Sequence, residues 1–115
     1  MNIYDGAHAL ARALKESDEF IAYEAAKQAA FENETNKTLI QEYKKLQMKL
    51  QVAAASGVTP DAEAMDRLQK IASLLQFSPE CAAYLYAEVR VQKMLADIFK
   101  ILGDAAGLDL DLLQA

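Results

Sequence analysis

The sequence predicts an all-α fold: about five helices, one long antiparallel helical hairpin, and an elongated helical bundle that oligomerises. Three observations carry this. Alanine occurs 22 times, whereas Ile, Val and Thr together occur 13 times, and Gly (4) and Pro (2) are scarce. That mixture favours helix over strand and sets aside a β-sandwich or barrel. Apolar residues also recur at steps of three and four through most of the chain. Finally, two Ser/Thr-Pro-acid triplets, Thr59-Pro60-Asp61 and Ser78-Pro79-Glu80, read as helix starts. With 115 residues, 53% hydrophobic and 25% charged, the chain has the balance of one folded domain over residues 1–115 rather than of a disordered segment.

The first helix is expected from Ile3 to Glu16. Ile3, Ala7, Leu10 and Leu14 share one face, and Asp5 and Lys15 suit the helix dipole at its two ends. Ser17 reads as the cap of a second helix opened by Asp18 and Glu19, with Phe20, Tyr23, Ala26 and Ala30 inward and Phe31 near its end. The polar cluster Asn33-Glu34-Thr35-Asn36 reads as a bend or break. In the third helix Leu39, Tyr43, Leu46, Leu50 and Ala53 form a heptad seam, closed by Gly57. A fourth helix starts at Thr59-Pro60-Asp61, with Thr59 as its capping hydroxyl. It carries Ala64, Leu68, Ile71 and Leu75 at the same spacing, so the short loop between them predicts the antiparallel hairpin.

The fifth helix, Pro79 to Leu102, has two apolar stripes. One is Leu85, Val89, Ala96 and Phe99; the other is Val91, Leu95, Ile98 and Leu102. A helix apolar on two sides lies between neighbours. At about 36 Å it exceeds the roughly 34 Å diameter of a compact domain of this size, so Val91, Leu95, Ile98 and Leu102 are expected to form an interface between copies, in a homodimer or a larger assembly. Gly103 and Gly107 then loosen the chain, and Leu108-Asp109-Leu110-Asp111-Leu112-Leu113 alternates as a short extended piece would.

The chemistry-bearing residues are few. One cysteine cannot form an internal disulfide, and one histidine, His8, has no ligand-type companion one turn away. Cys81, third in the fifth helix, is expected to be an inert packed thiol, and Glu88 to make a structural ion pair with a basic residue. Asp109 and Asp111 lack the glycine and terminal glutamate of a calcium loop. No phosphate loop, nucleophile elbow or paired-cysteine motif occurs. The chain is therefore expected to be no enzyme and to carry no cofactor: no stoichiometric iron, sulfide or zinc. No run approaches the roughly 18 residues of a membrane span, and residues 1–10 lack a basic start and a cleavage pattern.

A net charge of −5 argues against general phosphate-backbone binding. Residues 37–51 nonetheless carry +3, so Lys44, Lys45 and Lys49 could form an RNA-contacting stripe. That stretch has no arginine, and its one aromatic, Tyr43, belongs to the seam, so a solvated outer face is the preferred reading.

Tyr4-Asp5-Gly6-Ala7, Ala13-Leu14, Ser17-Asp18-Glu19-Phe20, Gln47-Met48-Lys49-Leu50-Gln51, Gly57, Thr59 and Ala87-Glu88 together resemble the YheA branch of the bacterial YlbF/YmcA/YheA family. The resemblance covers almost the whole chain, mostly at framework positions. It implies an all-helical, cytoplasmic, oligomer-forming protein of a Gram-positive bacterium. It further implies a non-enzymatic regulatory partner in competence, sporulation or biofilm control, in a complex that works with ribonuclease Y. Some relatives hold iron–sulfur clusters through cysteines; this chain departs there, because Cys81 is alone and the tail has none. The expected function is thus a regulatory adaptor acting through contacts with itself and other regulatory proteins. The alternative is an RNA-associated accessory protein using the lysines of the third helix.

Overall fold

The computed structural model describes residues 2–108. Five helices follow one another: α1 (Ile3–Glu16), α2 (Asp18–Phe31), α3 (Glu34–Ala55), α4 (Ala62–Gln76) and α5 (Pro79–Ala106), and no strand occurs among the described residues. Every start is capped by a short polar side chain: Asn2, Ser17, Asn33, Asp61 and Ser78 each accept a backbone N–H from the first turn they open. These bonds satisfy donors that a helix cannot satisfy itself.

Three boundaries differ from the sequence expectation, each for a capping reason. The Asn33–Asn36 cluster is not a break of four residues: Asn33 caps α3, accepting from Asn36 N at 3.0 Å, so Glu34 to Asn36 form its first turn. The cap of α4 is Asp61, which accepts from Glu63 N at 3.0 Å, and not Thr59; a carboxylate also suits the positive end of the helix dipole. Helix α5 runs through Gly103 to Ala106, because the left-handed conformation that ends it belongs to Gly107 (φ 71°). Leu108 N then bonds Gly103 O at 2.9 Å, as Val58 N bonds Ala53 O after Gly57 (φ 71°) at the end of α3. Residues 109–113, expected as an extended piece, lie outside the described residues.

Two antiparallel pairs make the frame. α2 runs along the first half of α5, and α3 pairs with α4 in the predicted hairpin. The hairpin register brings together the two-pronged Arg67–Glu42 pair (2.8 and 3.1 Å) and, nearer the loop, Lys49–Asp61 (3.6 Å). The pairs meet at the α2–α3 and α4–α5 corners, and the core sits there: Ala30, Ile40, Ile71, Leu75, Cys81 and Tyr84, with Tyr23, Phe31, Leu39, Tyr43 and Leu46 packed around them. α1 continues from α2 beyond Ser17 and buries none of its own residues.

The result is a thin plate of 49 × 37 × 16 Å with a radius of gyration of 17.0 Å. A compact chain of this length would have about 13 Å, and one helix with its side chains is already about 10–12 Å thick. A body this thin cannot enclose both faces of its helices.

Candidate functional site

Helices α3 and α5 part company beyond the core and leave a cleft of about 410 Å³, walled by Tyr23, Lys44, Gln47, Met48, Glu88 and Val91 among others. Its closed end is a polar knot. The Lys44 ammonium donates to Glu88 Oε2, the Tyr84 hydroxyl donates to the same oxygen at 3.0 Å, and the ammonium sits 5.0 Å from the centre of the Tyr84 ring. Tyr23 stacks on Tyr84 at 5.7 Å, and Phe31 meets that ring edge-on at 5.6 Å. One carboxylate therefore ties the hairpin to α5 while the aromatic rings tie α2 to both. Glu88 has the basic partner that was expected of it.

The knot also sets the titration of its phenols. The Tyr84 hydroxyl is pushed up to about 12 by burial first and the Glu88 carboxylate second, and Tyr23 is raised by burial and then by the Tyr84 hydroxyl beside it. An unfolded tyrosine ionises near pH 10. A group held protonated beyond its unfolded pKa contributes stability that is fully present below about pH 10 and lost as pH rises towards about 12. Stability measured by denaturant unfolding is therefore expected to fall over that interval. The wild type should lose more stability between about pH 10 and 12 than Tyr84→Phe does; equal losses would contradict the knot.

The lysines of α3 do not form one stripe. Lys44 is turned towards α5 and held by Glu88 rather than lying on a solvated outer face, Lys45 is exposed, and Lys49 points to Asp61. The four residues expected at an interface divide. Val91 and Ile98 are half-buried towards α2 and the cleft, whereas Leu95 is 37% and Leu102 50% exposed. Leu95 lies in a shallow apolar hollow with Val89, Ala96 and Phe99. Leu102 lines a second groove of about 550 Å³ with Ile3, Tyr4, Ala7 and Leu10 of α1. His8 is exposed on α1. Among the described residues no group of three or more His, Cys, Asp or Glu side chains is placed to hold a metal ion, and no helix is long and apolar enough to cross a membrane.

Residues 3–105 match the family described as control of competence regulator ComK, YlbF/YmcA. The chain belongs to the YlbF/YmcA family. Its relatives include a UPF0342 protein of Caldicellulosiruptor saccharolyticus, 36% identical over 93% of this chain and 89% of that one. Another, from Symbiobacterium thermophilum, is 35% identical over 94% and 96%. Two solved structures share the fold. A Bacillus stearothermophilus protein of unknown function (DUF964) superposes with a TM-score of 0.77 at 18% identity, over 91% of this chain and 92% of the other. A chain of the crystal structure of Bacillus subtilis RicA in complex with RicF gives 0.61 at 20% identity over 91% and 93%.

In this YlbF/YmcA chain the lone thiol is a core group. Cys81 is fully buried against Ile40, Leu75 and Tyr84, and its backbone N–H is held by the Ser78 cap at 3.4 Å. A reagent reaches such a sulfur only when the core opens. Alkylation is expected to be at least about a hundredfold slower than in the denaturant-unfolded chain, since opening of a core costs several kcal/mol. Rapid labelling under native conditions would make Cys81 an accessible, reactive thiol.

Proposed function

We propose that this chain is a non-enzymatic, cytoplasmic regulatory adaptor, one domain over residues 1–115, that works as a homodimer or larger assembly through protein–protein contacts. The process it serves is of the competence, sporulation, biofilm or ribonuclease Y-linked kind. One observation carries the reading: large apolar side chains stand in solvent along α1 and the second half of α5, including Ile3 (81% exposed), Tyr4 (74%) and Leu102. Large apolar patches left open on a soluble protein are characteristic of contact surfaces. The family's description as a control of a competence regulator, and the solution of RicA together with RicF, support a role exercised through partners.

Sedimentation tests the assembly: a species larger than the 12.7 kDa chain is expected at micromolar concentration, and Leu95→Glu should shift it to monomer. A wild-type monomer would overturn the assembly reading. Affinity capture of a tagged copy from its own bacterium tests the adaptor role, with ribonuclease components as the expected companions. The RNA reading is the weaker one because Lys44 is held by Glu88 and Lys49 faces Asp61, leaving Lys45 of the three. RNA affinity that falls steeply with salt, with a slope flattened by Lys45→Ala, would restore it.

A further inference from the structure

The two flanks of α5 are unequally covered. Its 28 residues span about 42 Å. One flank has α2 along its first half and α1 beyond that, across the groove at Leu102. The flank beside it carries Cys81, Glu88, Leu95 and Phe99 down one side at helical spacing. The upper part of that line is roofed by α3 and α4, through Lys44, Ile40 and Leu75. From Val91 onward the roof is gone. The uncovered length, Val91 to Ala106, is about 22 Å.

Among the described residues α1 presents an apolar face of that length that stands largely in solvent, with Ile3 81% and Leu10 41% exposed. Its 14 residues span about 21 Å, with Ile3, Ala7, Leu10 and Leu14 on one side. Isolated helices this short are marginal in water and depend on burying an amphipathic face, yet none of its residues is buried. Surface area agrees. The chain exposes 8507 Å², against about 6,200 Å² for a compact monomer of its mass. The excess is more than twice the roughly 800 Å² that each partner gives to a standard interface. The charges also agree. Asp5 and Glu16 balance Arg12 and Lys15 on α1, while along α5 Lys93 is paired with Asp97 and Lys100 with Asp104. Two electrically balanced helices meet through apolar contact.

We propose that α1 of a second copy of this chain is the missing roof. It lies on the open flank of α5 around Leu95, and the same contact is returned by the first copy's α1. The interface is isologous, so each α1 is stabilised by the copy it covers. This rests on the homodimer reading above and names the element that makes it.

Ile3→Glu and Ala7→Glu test it. Both positions are exposed, and an acid at position 3 suits the start of the helix, so the monomer keeps its fold. Each is expected to weaken dimerisation by about a hundredfold, as placing an unpaired charge in an apolar contact does. Helix content by circular dichroism verifies folding of each variant. Wild-type α1 amides should show hydrogen-exchange protection that grows with protein concentration, and the dissociation constant should change little with salt. A wild-type monomer would overturn both this and the homodimer reading. A dimer broken by Leu95→Glu but untouched by Ile3→Glu and Ala7→Glu, with α1 amides unprotected, would overturn the α1 roof alone. So would a dimer indifferent to these α1 changes in which they abolish binding of a different protein.

Discussion

Tyr84→Ala is expected to remove about 3–5 kcal/mol of stability, as loss of a large buried aromatic side chain does. The ring is 1% exposed and is the largest of the fully buried side chains among the described residues. It touches Tyr23 and Phe31 of α2, lies under Lys44 of α3, and holds Glu88 one turn further along α5. One side chain thus joins three helices through packing and polarity at once. The buried apolar core is small, eight residues among those described, and a thin plate has no second layer that could collapse into the gap. Typical domains have about 5–15 kcal/mol in total, so the variant should lose a large share of its stability. Tyr84→Phe keeps the ring and loses one hydrogen bond to a carboxylate that Lys44 still pairs, so a cost of about 1–2 kcal/mol is expected. Urea unfolding at one fixed protein concentration measures both, because self-association would otherwise mix into the result. An alanine variant within 1 kcal/mol of wild type would mean that the ring does not hold the plate together.

The helices were legible because their signals are local. Ser17, Ser78 and the acids after them act within one turn, and the seam from Leu39 to Ala53 meets its counterpart from Ala64 to Leu75 across a short loop. The knot was only half legible. The spacing shows Glu88 as a paired acid but places Lys44 on a solvated face. Forty-four positions separate the two, and nothing in the spacing of either helix shows that α3 and α5 converge. Tyr84 does not stand out in the pattern, for a similar reason. The stripe of α5 facing α2 is Tyr84, Ala87, Val91, Met94 and Ile98, spaced 3, 4, 3, 4, but alanine and tyrosine weigh less in an apolar count than the leucines beside them. The first helix gives the complementary lesson. Periodicity identified its apolar face correctly, yet periodicity reports which side is apolar and not what covers it.

Leu75→Ala and Leu74→Ala should differ sharply, although the residues are neighbours. Successive side chains on a helix point about 100° apart, so the rotation of α4 decides which leucine enters the core. Leu75 is fully buried with Ile71, Ile40, Cys81 and Tyr84, where truncation costs about 2–5 kcal/mol. Leu74 is 52% exposed, and truncating it should change stability by about 0.5 kcal/mol or less. The Arg67–Glu42 and Lys49–Asp61 pairs form in the register that produces this difference. They are exposed and contribute little energy, so the packing of Leu75 and Ile71 must supply most of the hairpin's stability. Denaturant unfolding of the two variants at the same concentration reads the contrast directly. Equal losses at both positions would mean that Leu74 is also covered, and the α4 face would then join α1 and α5 as a surface buried on assembly.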